Sequence, residues 1–258
     1  MGDFVRIHFW KYEASGNDFL LIPKAYCQQK IIKRMCDRHY GIGADGVIAN
    51  DIDEFLYFNC DGSSASICGN GLRCFALHRF RSKGIINGTI KANQSCYEYQ
   101  INKAKPFEVE VKMTIPIYSE KQCSEIEIDG AVFKSWVVDS GVPHIVLLSD
   151  KYVNDEKLEK IGKYLNNSKM FLEGINVDII ECSDRHICKT YERGCGLTLA
   201  CGSGALACFK VLNDIGCIED KGKVFFKNGE FLTFKRNDDY ISLVGGANFL
   251  AEGDYLYE

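Results

Sequence analysis

Ser66-Ile67-Cys68-Gly69-Asn70-Gly71-Leu72-Arg73-Cys74-Phe75-Ala76 and Leu199-Ala200-Cys201-Gly202-Ser203-Gly204-Ala205-Leu206-Ala207-Cys208-Phe209 are two versions of one segment. In each, a Cys-Gly-x-Gly turn opens an apolar run with helix-forming character. The two cysteines lie 133 residues apart in a chain of 258. A second echo comes in the same order: Ser15-Gly16-Asn17-Asp18-Phe19-Leu20-Leu21 and Ser140-Gly141-Val142-Pro143-His144-Ile145-Val146, with Gly16 and Gly141 125 residues apart. Two ordered echoes at nearly one spacing imply two similar halves. The polar stretch 114–130, with Pro116, Ser119, Glu120, Lys121 and Gly130, is the candidate junction. The expected halves are 1–120 and 121–248, with a final strand at about 249–258 returning to the first. Halves of this kind commonly pack about a pseudo-two-fold axis, which would bring the two turns face to face across a cleft.

Outward from the turns, the chain reads as mixed α and β. Strands are predicted at Phe19–Ile22, Val47–Ala49, Phe55–Phe58, Val109–Met113, Trp136–Val138, Ile145–Leu148, Val177–Ile180, Val224–Phe226 and Tyr240–Val244. Helical spacing appears at Gln29–His39, at 70–82, at Asp155–Asn166 and at 203–214. Many strands with few helices predict an α+β fold rather than a doubly wound sheet.

Composition narrows the function classes. With 46% hydrophobic and 26% charged residues the chain is neither disordered nor low-complexity. A net charge of −4 argues against nucleic acid as a partner. No apolar run approaches the roughly 18–20 residues of a membrane span. The N-terminus shows no basic flank followed by an apolar core, so a cytoplasmic location is expected. Thirteen cysteines, an odd number in a chain of this length, read as reduced thiols rather than a disulfide framework. No Cys-x-x-Cys occurs, and His8, His39, His78, His144 and His186 are scattered, so no metal is expected.

The paired turns suggest a chemistry. A helix start leaves its first N–H groups without intrahelical partners, a ready site for a carboxylate. The same dipole is expected to lower the pKa of a thiol placed there. Racemisation at an α-carbon needs a base on one face and an acid on the other. A thiolate from one turn and a thiol from its copy would supply both. The N–H groups would stabilise the charge that builds on the carboxylate, without metal or cofactor. As helix-start packing residues alone, a repeated cysteine with two glycines per copy is hard to explain. Cys74 and Cys208, two helical turns further on, are read as core.

Seven motifs stand in order along the chain: Ser15-Gly16-Asn17-Asp18-Phe19, Asp37-Arg38-His39-Tyr40-Gly41-Ile42-Gly43-Ala44-Asp45-Gly46, Phe58-Asn59-Cys60-Asp61-Gly62-Ser63, Cys68-Gly69-Asn70-Gly71-Leu72-Arg73-Cys74, Gly141-Val142-Pro143-His144, Asn176-Val177, and Glu192-Arg193-Gly194 followed by Cys201-Gly202-Ser203-Gly204. By them the chain resembles the diaminopimelate epimerase family nearly end to end. Looser relatives are the proline racemases, which usually carry His where this chain has Asn70, and the phenazine-pathway isomerases, which lack the cysteine pair. The resemblance implies two similar domains, each a sheet wrapped around a central helix, and interconversion of LL- and meso-2,6-diaminopimelate without pyridoxal phosphate or any other cofactor. It implies a homodimer. It makes Cys68 and Cys201 the acid/base thiols and Gly69, Asn70, Gly202 and Ser203 backbone donors to the reacting carboxylate. Asn17, Asn59, Asn176 and Arg193 become the substrate clamp, Glu192 the partner of a substrate ammonium, and His144 a neighbour influencing protonation near the thiols. Arg193 with amides is chemically apt for a second, distal carboxylate. Two positions depart from the family: Val142 and Leu197 stand where Asn and Glu are usual. They leave a second specificity open, racemisation of another amino acid such as histidine. A catalytically inactive amino-acid-binding protein or a thiol redox protein are rivals of a different kind.

Overall fold

A computed structural model describes residues 4–51, 54–65, 67–119, 123–182 and 185–257. The chain divides into two units, Met1–Lys112 with Gly245–Glu258, and Met113–Val244. In the first, β1 (Val5–Ala14) turns at Ser15-Gly16 and returns antiparallel as β2 (Asn17–Pro23), Ala14 pairing with Asn17. Both turn residues have positive φ, 57° and 82°, the conformation that two-residue hairpins favour. Helix α1 (Gln29–Cys36) crosses to β3 (Gly46–Asn50), which runs parallel to β2 with Phe19 opposite Gly46. β4 (Tyr57–Asn59) and β5 (Ser64–Ala65) extend this sheet antiparallel. Helix α2 (Gly69–Lys83) and a meander of β6 (Asn87–Ala92), β7 (Ser95–Ala104) and β8 (Phe107–Thr114) follow. The C-terminal strand, Asn248–Tyr257, pairs with β1 from Val5↔Tyr257 to Glu13↔Asn248.

The second unit makes the same moves. It contains β9 (Ile117–Tyr118), β10 (Ser124–Ile128), β11 (Ala131–Asp139), β12 (Pro143–Ser149), α3 (Asp155–Asn166), β13 (Asn176–Glu181), β14 (Ile187–Glu192), β15 (Gly196–Thr198), α4 (Gly202–Asp214), β16 (Lys221–Phe226), β17 (Phe231–Arg236) and β18 (Tyr240–Gly245). β11 and β12 form the hairpin, α3 crosses to β13 parallel to β12, and β14 returns antiparallel. His144 stands opposite Asn176 as Phe19 stands opposite Gly46. The mixed α+β architecture and its repeat thus agree with the reading of the sequence.

Each unit has an amphipathic crossover helix and a second helix buried over most of its length. α1 buries Ile31, Ile32, Met35 and Cys36 against Leu20, Ile22 and Val47. α3 buries Leu158, Ile161 and Leu165 against Ile145, Val177 and Ile179. In α2 every residue from Gly69 to His78 is buried, and in α4 every residue from Gly204 to Leu212. A helix with so little exposed face sits inside the fold, and α4 packs against β11 to β14, β16 and β17.

Several elements differ from expectation for local reasons. α1 stops at Cys36 rather than His39 because Asp37 Oδ1 accepts the N–H groups of His39 and Tyr40 at 2.8 and 2.7 Å. Gly41 then lies where a Cβ would meet the Arg34 carbonyl oxygen at 2.1 Å. The strand expected from Phe55 begins at Tyr57, because Phe55 is buried with its ring 5.8 Å from that of Phe75. The stretch 114–130 is not simply irregular, since β9 and β10 lie in it. Residues 120–122, at the boundary expected between the halves, lie outside the described residues. Among the described residues no helix is long and apolar enough to cross a membrane.

An Ala at Gly162 of α3 would put its Cβ 2.3 Å from the Tyr191 ring. Overpacking of about 1–3 kcal/mol then opposes the gain of about 1 kcal/mol in helix propensity, so Gly162→Ala is expected to lower stability in urea titrations. His78 is buried, with Nδ1 2.9 Å from the Tyr12 hydroxyl, and desolvation together with Arg81 and Lys83 pushes its pKa down from 6.5 to about 4. Because the folded pKa lies below the unfolded one, this stability is present above about pH 6.5 and lost as pH falls toward 4. Acid titration of unfolding free energy is expected to show a loss on the order of 2 kcal/mol, absent in His78→Gln.

Candidate active site

Cys68 occupies the N-cap of α2 and Cys201 the N-cap of α4, both in extended backbone conformation. In each, the sulfur accepts the N–H of the glycine three residues on: Gly71 N to Cys68 Sγ and Gly204 N to Cys201 Sγ, both at 3.4 Å. Each thiol therefore replaces the hydroxyl or carboxylate of an ordinary cap, beside first-turn N–H groups that carry the helix's positive end.

Around Cys68 the first unit gathers Asn17 and Asn70. Asn17 Oδ1 is 3.9 Å from Cys68 Sγ and accepts Asn70 Nδ2 at 3.3 Å. Asn17 Nδ2 donates to Asp45 at 2.8 Å, and Asp45 is held by Arg38 at 2.7 Å, so the Asp37–Gly46 motif orients this amide. Arg73 is fully buried one turn into the helix. Its guanidinium donates to Ser15 Oγ at 3.0 Å, Asn70 Oδ1 at 2.9 Å, the Gly69 carbonyl at 3.3 Å and the Gly246 carbonyl at 3.0 Å. Asn59, at the end of β4, donates to Ser63 Oγ at 2.9 Å.

Around Cys201 the second unit gathers Ser203 and His144. Ser203 Oγ lies 3.3 Å from Cys201 Sγ and 3.0 Å from His144 Nε2. His144 Nδ1 lies 2.6 Å from Asp178 Oδ2, both side chains being wholly buried. Thr190 Oγ1 donates to the other carboxylate oxygen at 2.6 Å. Asn176 Oδ1 accepts the Arg193 backbone N–H at 3.0 Å, and its amide donates to the Pro143 carbonyl at 2.9 Å. Glu192 accepts the Thr198 hydroxyl at 2.7 Å, and the exposed Arg193 guanidinium donates to the Glu173 carbonyl at 3.1 Å. Of the positions departing from the family, Val142 is half-buried and its carbonyl accepts Ser140 N at 3.2 Å, while Leu197 is exposed opposite Tyr191.

The expectation of a lowered thiol pKa fails at Cys201. Burial, then the charges of Glu192 and Asp178, push its thiol well above the ordinary value, with Ser203 and Gly204 opposing. Desolvation of a thiolate outweighs one helix end. Burial likewise raises Cys74 and Cys208, as befits core thiols. Reading the sequence overlooks Asp45, Arg73, Asp178 and Thr190. The available signal is a lone charge in an apolar run, Val177-Asp178-Ile179-Ile180 and Leu72-Arg73-Cys74-Phe75.

Comparison with known proteins adds the following. The family profile for diaminopimelate epimerase matches residues 9–115 and 136–250. The diaminopimelate epimerase of Caldanaerobacter subterraneus subsp. tengcongensis is 34% identical, over 96% of this chain and 99% of its own. That of Rickettsia prowazekii is 32% identical, over 98% of each. Among solved structures, a hydroxyproline epimerase from Agrobacterium vitis superposes with a TM-score of 0.73 at 10% identity, over 99% of this chain and 93% of its own. A PhzF-family phenazine biosynthesis protein from Bacillus anthracis gives 0.69 at 12%, over 98% and 99%.

Arg73 offers a test of the first unit's architecture. Leu206 holds the corresponding place in α4, so a leucine fits the helix there. Arg73→Leu would nevertheless strip a donor from Ser15, Asn70 and the Gly69 and Gly246 carbonyls. The expected loss is about 2–4 kcal/mol of unfolding free energy in denaturant melts, since a buried acceptor left without its donor costs roughly 1–3 kcal/mol.

Proposed function

The chain belongs to the diaminopimelate epimerase family, and on that premise we propose that it interconverts LL- and meso-2,6-diaminopimelate by proton transfer at one α-carbon, with Cys68 and Cys201 as base and acid. The observation that carries this reading is the duplicated thiol cap: each unit presents one sulfur at the start of a buried helix, beside that helix's first N–H groups.

Cys201, whose thiol is stabilised by burial, rests protonated and donates. Cys68 as thiolate removes the α-proton. Gly69, Asn70, Gly202 and Ser203 supply backbone N–H groups to the substrate carboxylate as it takes up charge, the role of an oxyanion hole. After one turnover the protonation states are exchanged, and the reverse reaction starts from that form. Arg193 with Asn176 suits the distal carboxylate, Glu192 the ammonium, and Asn17 and Asn59 further polar groups of the substrate. His144 adjusts protonation at Cys201 through Ser203. Both relatives named above at 30% identity or more are diaminopimelate epimerases by name, and histidine has no distal carboxylate for Arg193 to meet.

A cytoplasmic, homodimeric enzyme making a precursor of lysine and peptidoglycan completes the proposal. The thirteen free thiols suit a reducing compartment, and the family resemblance supports the homodimer.

The test is incubation of the purified chain with LL-diaminopimelate and chiral separation of the products. Meso isomer is expected to form, with turnover reduced at least about 10²-fold in Cys68→Ser and in Cys201→Ser. Turnover of histidine with none of diaminopimelate would reassign the substrate. Full activity in either variant would remove the two-thiol mechanism.

A further inference from the structure

Asp178 takes no part in the roles assigned above, yet it is a wholly buried carboxylate three contacts behind the reacting sulfur. Its Oδ2 meets His144 Nδ1 at 2.6 Å and its Oδ1 receives the Thr190 hydroxyl at 2.6 Å. From His144 Nε2 the path continues to Ser203 Oγ at 3.0 Å and from there to Cys201 Sγ at 3.3 Å. All five groups belong to one unit. We propose that Asp178 is a positioning residue for the epimerase reaction: it fixes His144 as the proton acceptor that, through the Ser203 hydroxyl, converts buried Cys201 from thiol to thiolate.

The direction of the bonds follows from donor and acceptor chemistry. A carboxylate only accepts, so Nδ1 carries hydrogen and neutral His144 presents a bare Nε2 to Ser203. Ser203 then donates to Nε2 and accepts from the Cys201 thiol. When Cys201 must become the base, its S–H bond breaks and that proton moves to Ser203 Oγ. The Ser203 hydroxyl proton moves in the same event to Nε2. The products are a thiolate and an imidazolium, the latter paired with Asp178, and no net charge enters the interior. The reverse movement restores the thiol.

The repeat within the chain argues against a purely structural role. In the first unit, Phe19 pairs with Gly46 as His144 pairs with Asn176, and Ile48 lies two residues beyond Gly46 as Asp178 lies two beyond Asn176. The glycines at the third position after each thiol confirm the equivalence. A Cβ on Gly71 would meet Ile48 Cδ1 at 3.4 Å, and one on Gly204 would meet Asp178 Oδ1 at 2.2 Å. Phe19 and Ile48 are wholly buried. The fold therefore accepts apolar side chains at both positions. Of the two equivalent places, the one behind Cys201, the thiol that burial drives toward its protonated form, holds a buried carboxylate against an imidazole, a placement that costs desolvation.

The inference rests on Cys201 being an acid/base thiol, and the experiment separates the two claims. Histidine-specific ¹⁵N labelling of the full chain, with His144→Gln to assign the signal, reads the tautomer without substrate. Wild type is expected to show His144 with hydrogen on Nδ1 and an unprotonated Nε2, and Asp178→Asn to lose that preference. Diaminopimelate turnover in Asp178→Asn is expected to fall on the order of 10²-fold in kcat, with KM within about threefold. Ser203→Ala, which leaves Asp178 in place should Asp178→Asn fold poorly, is expected to keep the wild-type tautomer and lose kcat similarly. Hydrogen on Nε2 of wild-type His144, or unchanged kcat in folded Ser203→Ala or Asp178→Asn, would overturn the proposal. Should the wild-type chain turn over no diaminopimelate isomer, the functional reading fails, and the nitrogen shifts alone decide the bonding.

Discussion

A sulfur atom accepting the third N–H of a buried helix is the contact on which the surroundings of both thiols depend. It fixes Cys68 and Cys201 at helix starts and leaves the first N–H groups of α2 and α4 beside each thiol. It also explains the second glycine of Cys-Gly-x-Gly. The residue that donates to sulfur is pressed against the strand beneath, and at Gly204 a single added carbon would strike the Asp178 carboxylate. The first glycine opens the helix and leaves its first backbone N–H groups unscreened by a side chain.

Upon this shared frame the two units have diverged in charge. Behind Cys68 lie apolar Ile48 and the buried cation Arg73, with Asn17 and Asn70 as neutral neighbours. Behind Cys201 lie Asp178 and His144, with Leu206 at the place of Arg73. One helix thus carries a buried cation one turn beyond its thiol, and the other has a buried carboxylate behind its thiol. That difference suits a reaction in which one sulfur must start as base and the other as acid. It also shows why a repeat visible in sequence need not be a repeat in chemistry.

How far the sequence can be read depends on whether a feature is local. The duplicated turns and the extents of α3 and α4 follow from residue spacing within short windows. Strands such as β6, β7 and β17 are less legible, because their outward positions are Lys, Glu, Gln and Thr and only every second residue is apolar. The partners of the site are tertiary. His144 meets Asp178 across two parallel strands and Ser203 at the start of α4, contacts between positions 34 and 59 apart in the chain. The direction of the Cys201 pKa is tertiary too, since helix ends lower a thiol only where water still reaches it, and this sulfur is buried.

The most direct measurement of the central claim is the early time course of epimerisation in D₂O, starting from all-protium LL-diaminopimelate. A thiolate holds one proton and a separate thiol delivers another. Two such groups acting on one carbon put solvent deuterium into the meso product while the remaining LL substrate keeps its α-hydrogen. Deuterium appearing equally fast in recovered LL substrate and in product would mean that a single exchanging base serves both faces, and would contradict a mechanism divided between Cys68 and Cys201.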